Sequence, residues 1–243
     1  MKKYGLIGYP LSHSFSKKYF TEKFILESIK DVVYDIYPLE NINELPGLLK
    51  QEPSLYGLNV TIPYKEQVIP YLDDMSPVVA EIGACNCIKI EDGKLIGHNT
   101  DVLGFELSLL KKLKPSHGAA LVLGTGGASK AVQYVLNKHS ISFLQVSRTK
   151  STNSISYEEL DNEIMSTHLL IINTTPLGMY PNTESAPPIP YELIGNSHYL
   201  FDLVYNPVKT MFLKKGELQG AEIENGSDML VDQAEGSWAI WNA

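Results

Sequence analysis

Long apolar runs are missing from this chain of 243 residues. No stretch approaches the roughly 18 residues that a bilayer-spanning helix needs. Cysteine is almost absent: only Cys85 and Cys87 occur. Two cysteines one residue apart on a strand point the same way and rarely bridge, so a disulfide framework is excluded and a reducing compartment fits. Positive charge is also in short supply, with 20 basic residues against 28 acidic ones and a formal charge of −8. Without a Lys/Arg cluster, nucleic acid and anionic membrane surfaces are excluded as partners, and an anionic ligand must be held by local features. The histidines, at 13, 98, 117, 139, 168 and 198, show no spacing with cysteine that builds a tetrahedral site, so no metal is expected. The opening MKKYGLIGYP breaks its apolar stretch at Gly8 and Pro10, too soon for a signal peptide. A soluble, cytoplasmic protein is the expectation.

What is present is an ordinary globular balance, 44% apolar and 20% charged, enough for one large or two small domains. Short apolar strands alternate with helix-like segments, the rhythm of an α/β fold with largely parallel sheets. Strands are expected near residues 3–8, 32–37, 56–61, 84–90 and 94–98, with helices near 15–29, 42–50, 64–71 and 75–82. Glu91-Asp92-Gly93 reads as a hairpin turn. Asp101 opens a helix whose Leu103, Leu107 and Leu110 form an apolar stripe. Phe20, Phe24 and Ile25 read as core. A fresh unit follows Pro115, with strands near 119–123, 142–146, 168–172, 199–204 and 221–224. Four prolines between 181 and 190 mark a loop, and a last helix covers about 227–241.

The strand at 119–123 runs into Gly124-Thr-Gly126-Gly127-Ala128-Ser129 and then a helix. A dinucleotide site requires this context: one glycine for the tight turn, one for close approach of a pyrophosphate, and a helix N-terminus with unpaired N–H groups. Serine stands at the third glycine position. A glycine turn in a ligand-free α/β domain has the same outline. At the end of the next strand, NAD sites carry a carboxylate for the ribose 2′-hydroxyl. Here Ser147-Arg148-Thr149-Lys150 stands instead, with Arg148 24 positions after Gly124. A guanidinium can clasp a 2′-phosphate, which favours NADP, although a strand-end arginine can also be merely solvated.

Four polar stretches mark the first hundred residues. Ser12-His13-Ser14-Phe15-Ser16 precedes a helix, Asn59-Val-Thr61-Ile-Pro63-Tyr-Lys65 ends a strand, and Gly83-Ala-Cys85-Asn86-Cys87 and His98-Asn99-Thr100-Asp101 flank the hairpin. Singly they read as caps and turns. Together they supply hydroxyls, an amide, an ammonium and a carboxylate, a set suited to a small polyhydroxylated acid.

In order along nearly the whole chain, GYPLSHSFS, GLNVTIPYK, GACNC, HNTD, LGTGGAS, SRT, NTTPLGMYPN, DLVYNP and MLVDQA resemble the shikimate dehydrogenase family. The resemblance implies an N-terminal α/β substrate domain, residues 1–101 with 227–243, and an inserted Rossmann-type NADP domain, residues 102–226. It implies NADPH-dependent reduction of 3-dehydroshikimate to shikimate, by a monomer or a homodimer. Lys65 and Asp101 would be the catalytic pair. Ser14 and Ser16, helped by Tyr205, would hold the substrate carboxylate; Thr61, Asn86 and Gln233 would bond its other oxygens. Gly124, Gly126, Gly127 and Ala128 would carry the pyrophosphate, and Ser147, Arg148 and Thr149 the 2′-phosphate. Thr175, Leu203 and Gly226 would lie along the ribose or nicotinamide. The chain departs from the family pattern at His98, Cys87 and Asp228, and Lys150 remains as the second cation after Arg148. A quinate/shikimate dehydrogenase using NAD and a non-catalytic NADP-binding regulator are the rival readings. A carboxylate at 147 or 148 would favour the first; absence of Lys65 and Asp101 would favour the second. A folate-type methylene dehydrogenase would not need the paired serines.

Overall fold

A computed structural model describes residues 1–11 and 15–243. The chain divides into two compact units, Met1–Thr100 with Ala234–Ala243, and Asp101–Gln233.

The first unit contains β1 (Lys2–Gly8), α1 (Phe15–Leu26), β2 (Val32–Pro38), α2 (Leu45–Gln51), β3 (Leu55–Val60), β4 (Asp74–Met75), α3 (Pro77–Ile82), β5 (Cys87–Glu91) and β6 (Lys94–His98). Its sheet has the order β2-β1-β3-β5-β6-β4. β1 pairs in parallel with β2 and β3, but β5 runs antiparallel to both β3 and β6, so this sheet is mixed. The β5–β6 hairpin turns at Asp92 and Gly93, both at positive φ, which sets the register Glu91↔Lys94. Local chemistry bounds α3: Ser76 caps its start, Pro77 occupies the first turn, and Gly83 ends it in the left-handed region. Residues 64–71, read from sequence as a helix, form turns that end in a short 3-10 turn, Ile69–Tyr71. Pro70 lies inside the segment and has no N–H to donate to the carbonyl four residues back, so an α-helix cannot run through it. Among the described residues Phe20 and Phe24 pack on Tyr34, Trp238 and Trp241, whereas Ile25 is 73% exposed, so the expected core stripe stops at Phe24.

The second unit contains α4 (Asp101–Leu110), β7 (Ala119–Leu123), α5 (Gly127–Lys138), β8 (Ser142–Ser147), β9 (Ile155–Ser156), α6 (Asn162–Thr167), β10 (Leu170–Asn173), β11 (Tyr199–Asp202), α7 (Met211–Leu218), β12 (Glu222–Glu224) and the start of α8 (Ser227–Trp241). Its sheet is parallel throughout, in the order β12-β11-β10-β7-β8-β9. This is the doubly wound arrangement, whose order reverses between β7 and β10, the point where such sheets bind ligands beyond their carboxyl ends. β7 and β10 are nearly continuous buried apolar runs, as strands covered on both faces must be.

The apolar stripe of α4 lies on its exposed side. Leu103, Leu107 and Leu110 are between 41% and 45% exposed, while Val102, Phe105 and Leu109 are buried. Gly104 decides the face: a Cβ there would stand 2.4 Å from the Met229 carbonyl oxygen. Only the glycine side of α4 permits that backbone approach, and Phe105 follows it inward against Phe201.

Candidate active site

In the first unit, β1 and β3 end at one edge of the sheet, with Ile7 opposite Val60. Past that end the Thr61 N–H still donates to the Ile7 carbonyl at 3.0 Å. Gly8 makes room for this threonine, since a Cβ at Gly8 would come within 2.5 Å of its methyl group. Pro63 then enters a turn in which the Tyr64 N–H donates to the Thr61 carbonyl at 2.9 Å. Lys65 leaves this turn half-buried, and its carbonyl accepts the Cys85 N–H at 2.7 Å.

Asn86 ties the surrounding segments together. Its carbonyl accepts the Val60 N–H at 2.8 Å and its own N–H donates to the His98 carbonyl at 3.1 Å. Its side-chain Oδ1 accepts the Thr100 N–H at 2.6 Å, and its Nδ2 donates to Thr100 Oγ1 at 3.0 Å. Thr100, the residue before Asp101, is thereby held from both its main chain and its side chain.

A buried polar chain supports this clamp. Tyr34 donates to Asn59 Oδ1 at 2.9 Å, Asn59 Nδ2 donates to Ser237 Oγ at 2.8 Å, and Ser237 Oγ lies 3.2 Å from Thr100 Oγ1. Ser16, itself buried, hydrogen-bonds to the Tyr34 hydroxyl. Burial drives that phenol far above its ordinary value, so it stays neutral. Each member satisfies another, as buried polar groups must. Sequence reasoning missed Tyr34 and Ser237; Asn59, a polar residue inside an apolar strand, was the available signal. Ser14 lies outside the described residues.

In the second unit, Gly124 adopts φ +112°, and a Cβ there would stand 2.7 Å from Thr174 Oγ1. Its N–H donates to the Val146 carbonyl at 2.8 Å, closing the tight turn after β7. Gly126 is the N-cap of α5 without a side-chain capping bond, and the space its Cβ would occupy is open for 4 Å. Ser129 replaces the third glycine without opening the turn. It is buried, its hydroxyl donates to the Gly126 carbonyl at 2.6 Å, and Gln145 Nε2 bridges it to the Gly124 carbonyl at 3.0 Å. Gly127 and Ala128 begin the helix beside this open space.

At the end of β8, half-buried Ser147 donates to the Thr149 carbonyl and sits 3.2 Å from Ser154 Oγ. Arg148 and Thr149 are exposed. Burial raises the Tyr157 phenol while the Arg148 charge acts the other way, which puts the guanidinium within electrostatic reach of that ring. Lys150 is paired with Glu159, so the second cation is already engaged.

The ends of β10 and β11 bring up the remaining residues. Asn173 Oδ1 accepts from the Thr175 N–H at 3.0 Å and from Thr175 Oγ1 at 2.6 Å. The Gly226 N–H donates to the Val204 carbonyl at 3.2 Å, and a Cβ on Gly226 would lie 2.2 Å from the Leu203 carbonyl oxygen. Tyr205 is half-buried, and burial raises its phenol. Asp101 is buried at the start of α4, and buried Gln233 donates through Nε2 to the Leu230 carbonyl at 2.9 Å. Asp228 turns its carboxylate to Lys111 at 2.6 Å. A bare helix start, a glycine turn too tight for a side chain and an arginine where NAD sites carry an acid fit a dinucleotide bearing a 2′-phosphate. Among the described residues no helix is long and apolar enough to cross a membrane.

Comparison with known proteins agrees with this geometry. A family model for the shikimate dehydrogenase substrate binding domain matches residues 6–88. The chain is 40% identical to a shikimate dehydrogenase (NADP(+)) of Clostridium beijerinckii, over 99% of this chain and 92% of that one. The crystal structure of shikimate dehydrogenase 1 from Peptoclostridium difficile superimposes with a TM-score of 0.87 at 38% identity, covering 100% of this chain and 92% of that one. A Thermus thermophilus shikimate 5-dehydrogenase solved with NADP(H) and shikimate gives a TM-score of 0.86 at 31% identity, covering 99% and 93%. Identity at this level from end to end, on a matching backbone, makes the chain a member of the shikimate dehydrogenase family.

Proposed function

We propose that this chain catalyses the reversible, NADPH-dependent reduction of 3-dehydroshikimate to shikimate, in the cytoplasm. The observation that carries the reading is its near full-length identity with an NADP(+)-dependent shikimate dehydrogenase. Arg148 at the end of β8, with no carboxylate beside it at 147 or 149, supports the choice of cofactor. On this reading residues 1–101 with 227–243 serve the substrate and residues 102–226 serve NADP.

Gly124, Gly126, Gly127 and Ala128 hold the pyrophosphate, and Ser147, Arg148 and Thr149 surround the 2′-phosphate. Thr175, Leu203 and Gly226 flank the ribose and nicotinamide. When bound, the cofactor supplies the hydride, which is its own chemistry. The protein supplies position and a proton. Reduction of a ketone builds negative charge on the carbonyl oxygen, and the Lys65 ammonium stabilises that oxygen and protonates it. Asp101 is the second member of the catalytic pair. General acid catalysis of this kind contributes about 10²–10⁴ in rate. Ser14, Ser16 and Tyr205 bind the substrate carboxylate, and Thr61, Asn86 and Gln233 bind its remaining oxygens. Asn86 uses one of its two amide N–H bonds on Thr100 and has the second for substrate.

The decisive assay measures NADP+ reduction with shikimate and with quinate as separate substrates, and repeats both with NAD+. Turnover of shikimate with NADP+ well above the other three combinations is expected. Comparable rates with quinate and NAD+ would favour the NAD-using quinate enzyme, and no turnover at all would favour a regulator.

A further inference from the structure

Asp202 ends β11 and is fully buried, yet it belongs to none of the groups that touch substrate or cofactor in the proposed reaction. Its Oδ1 accepts two hydrogen bonds, from Asn173 Nδ2 at 2.9 Å and from the Val204 N–H at 3.0 Å. Its Oδ2 accepts a third from Thr210 Oγ1 at 2.5 Å. Each donor leads to a different segment. Asn173 passes the connection to Thr175 through the two bonds its own Oδ1 accepts. Val204 passes it to Gly226, whose N–H its carbonyl accepts, and Gly226 packs on the Leu203 backbone. Thr210 caps α7, accepting the Leu213 N–H at 3.4 Å.

One carboxylate is therefore linked through hydrogen bonds to Thr175 and Gly226, and through Gly226 to the Leu203 backbone, the three residues assigned to the ribose and nicotinamide. We infer that Asp202 is a positioning residue for the cofactor, acting through the acceptor geometry of its carboxylate. The inference rests on the NADP assignment of the second unit. Burial pushes the Asp202 carboxyl up to about 6 in spite of the three hydrogen bonds that lower it.

The acceptor at Oδ1 matters more than the charge. In Asp202→Asn the amide oxygen keeps both Oδ1 bonds. The new N–H faces Thr210, whose hydroxyl oxygen can turn to accept. In Asp202→Ala both Asn173 Nδ2 and the Val204 N–H lose their acceptor, and Thr175 and Gly226 lose their common anchor.

The test is calorimetric titration of each variant with NADP+ alone, alongside steady-state KM for shikimate. Asp202→Ala is expected to weaken NADP+ binding by about tenfold or more while the shikimate KM stays within about twofold. Asp202→Asn is expected to restore NADP+ binding to within about threefold of the parent. Unchanged NADP+ binding in Asp202→Ala, an equal loss toward both ligands, or failure of the Asn variant to rescue would each overturn the inference. If Asp202→Ala does not fold, Asn173→Ala breaks the branch to Thr175 alone. It must then show the same selective loss, and normal NADP+ binding there rejects the role. Because the titration contains no shikimate, the result stands apart from the substrate assignment. Failure of the parent protein to bind NADP+ would instead reject the cofactor reading itself.

Discussion

Replacing Arg148 with Gln tests the cofactor assignment most directly. A guanidinium presents a fork of N–H donors that engages a phosphate through two charge-assisted bonds, which a neutral amide cannot reproduce. Such bonds contribute about 1.5–3 kcal/mol each where water is excluded, but Arg148 is exposed at the end of β8, so solvent takes part of that away. A net loss of about 1.5–3 kcal/mol for the whole group corresponds to roughly a 10- to 150-fold weaker complex. The neighbouring cation does not compensate, because Lys150 is already paired with Glu159. NAD+ lacks the 2′-phosphate, so its kcat/KM should stay within about twofold of the parent value. Adding Glu159→Gln to the Arg148 variant frees Lys150 and should recover part of the lost NADP+ affinity. The assay is kcat/KM for NADPH and NADH at saturating 3-dehydroshikimate, at low and at physiological ionic strength. A phosphate contact weakens with salt, so the NADPH preference of the parent should shrink as salt rises, and that of the variant should not. Equal losses with both cofactors, or no loss with NADPH, would refute the assignment of Arg148 to the 2′-phosphate.

Four further outcomes are expected. Lys65→Ala should lower kcat by at least about a hundredfold with little change in substrate binding, since the ammonium acts on charge that develops only during reduction; near-normal turnover removes Lys65 from the mechanism. Trp241 is buried, stacks on Tyr4 at 4.9 Å and donates through Nε1 to the Ile88 carbonyl at 2.9 Å. Trp241→Ala should therefore cost about 3–5 kcal/mol in urea unfolding, and a loss below about 1 kcal/mol would contradict the packing. Gly57 lies under the same indole, and a Cβ there would come within 2.2 Å of Nε1, so Gly57→Ala should cost about 1–3 kcal/mol. Finally, Asp202 holds its proton more tightly folded, at about 6, than its ordinary value of 3.8. Between those values the folded state binds more protons, so stability falls as pH rises through the window and stays lower above it, by roughly 3 kcal/mol at most. Asp202→Asn should remove that slope from a pH series of unfolding curves; an unchanged slope would place the titration elsewhere.

Much of this protein is legible residue by residue. The glycine turn after β7, the Asp92-Gly93 hairpin and the Ser76-Pro77 helix start depend on near neighbours, because φ preferences, caps and turns are local properties. The motif from Asn59 to Lys65 and the Arg148-Thr149 pair are equally local, so the groups offered at these two strand ends are written in adjacent residues. Other features were not. Periodicity marked Leu103, Leu107 and Leu110 as one face of α4 and could not tell whether it faced inward. That choice was made by Gly104, which alone admits the Met229 backbone. Residues 64–71 carry a helix-like pattern that Pro70 overrides. Ser237 joins Asn59 and Thr100 from the far end of the chain, and Asp202 gathers Asn173, Val204 and Thr210. Local patterning determined the strands, the turns and the chemistry offered at their ends, since those need only a few adjacent residues. Which face is buried, and which polar groups satisfy one another in the interior, was decided by tertiary packing, because Met229, Ser237 and Asn173 lie tens of positions or more from Gly104, Asn59 and Asp202, the residues they meet.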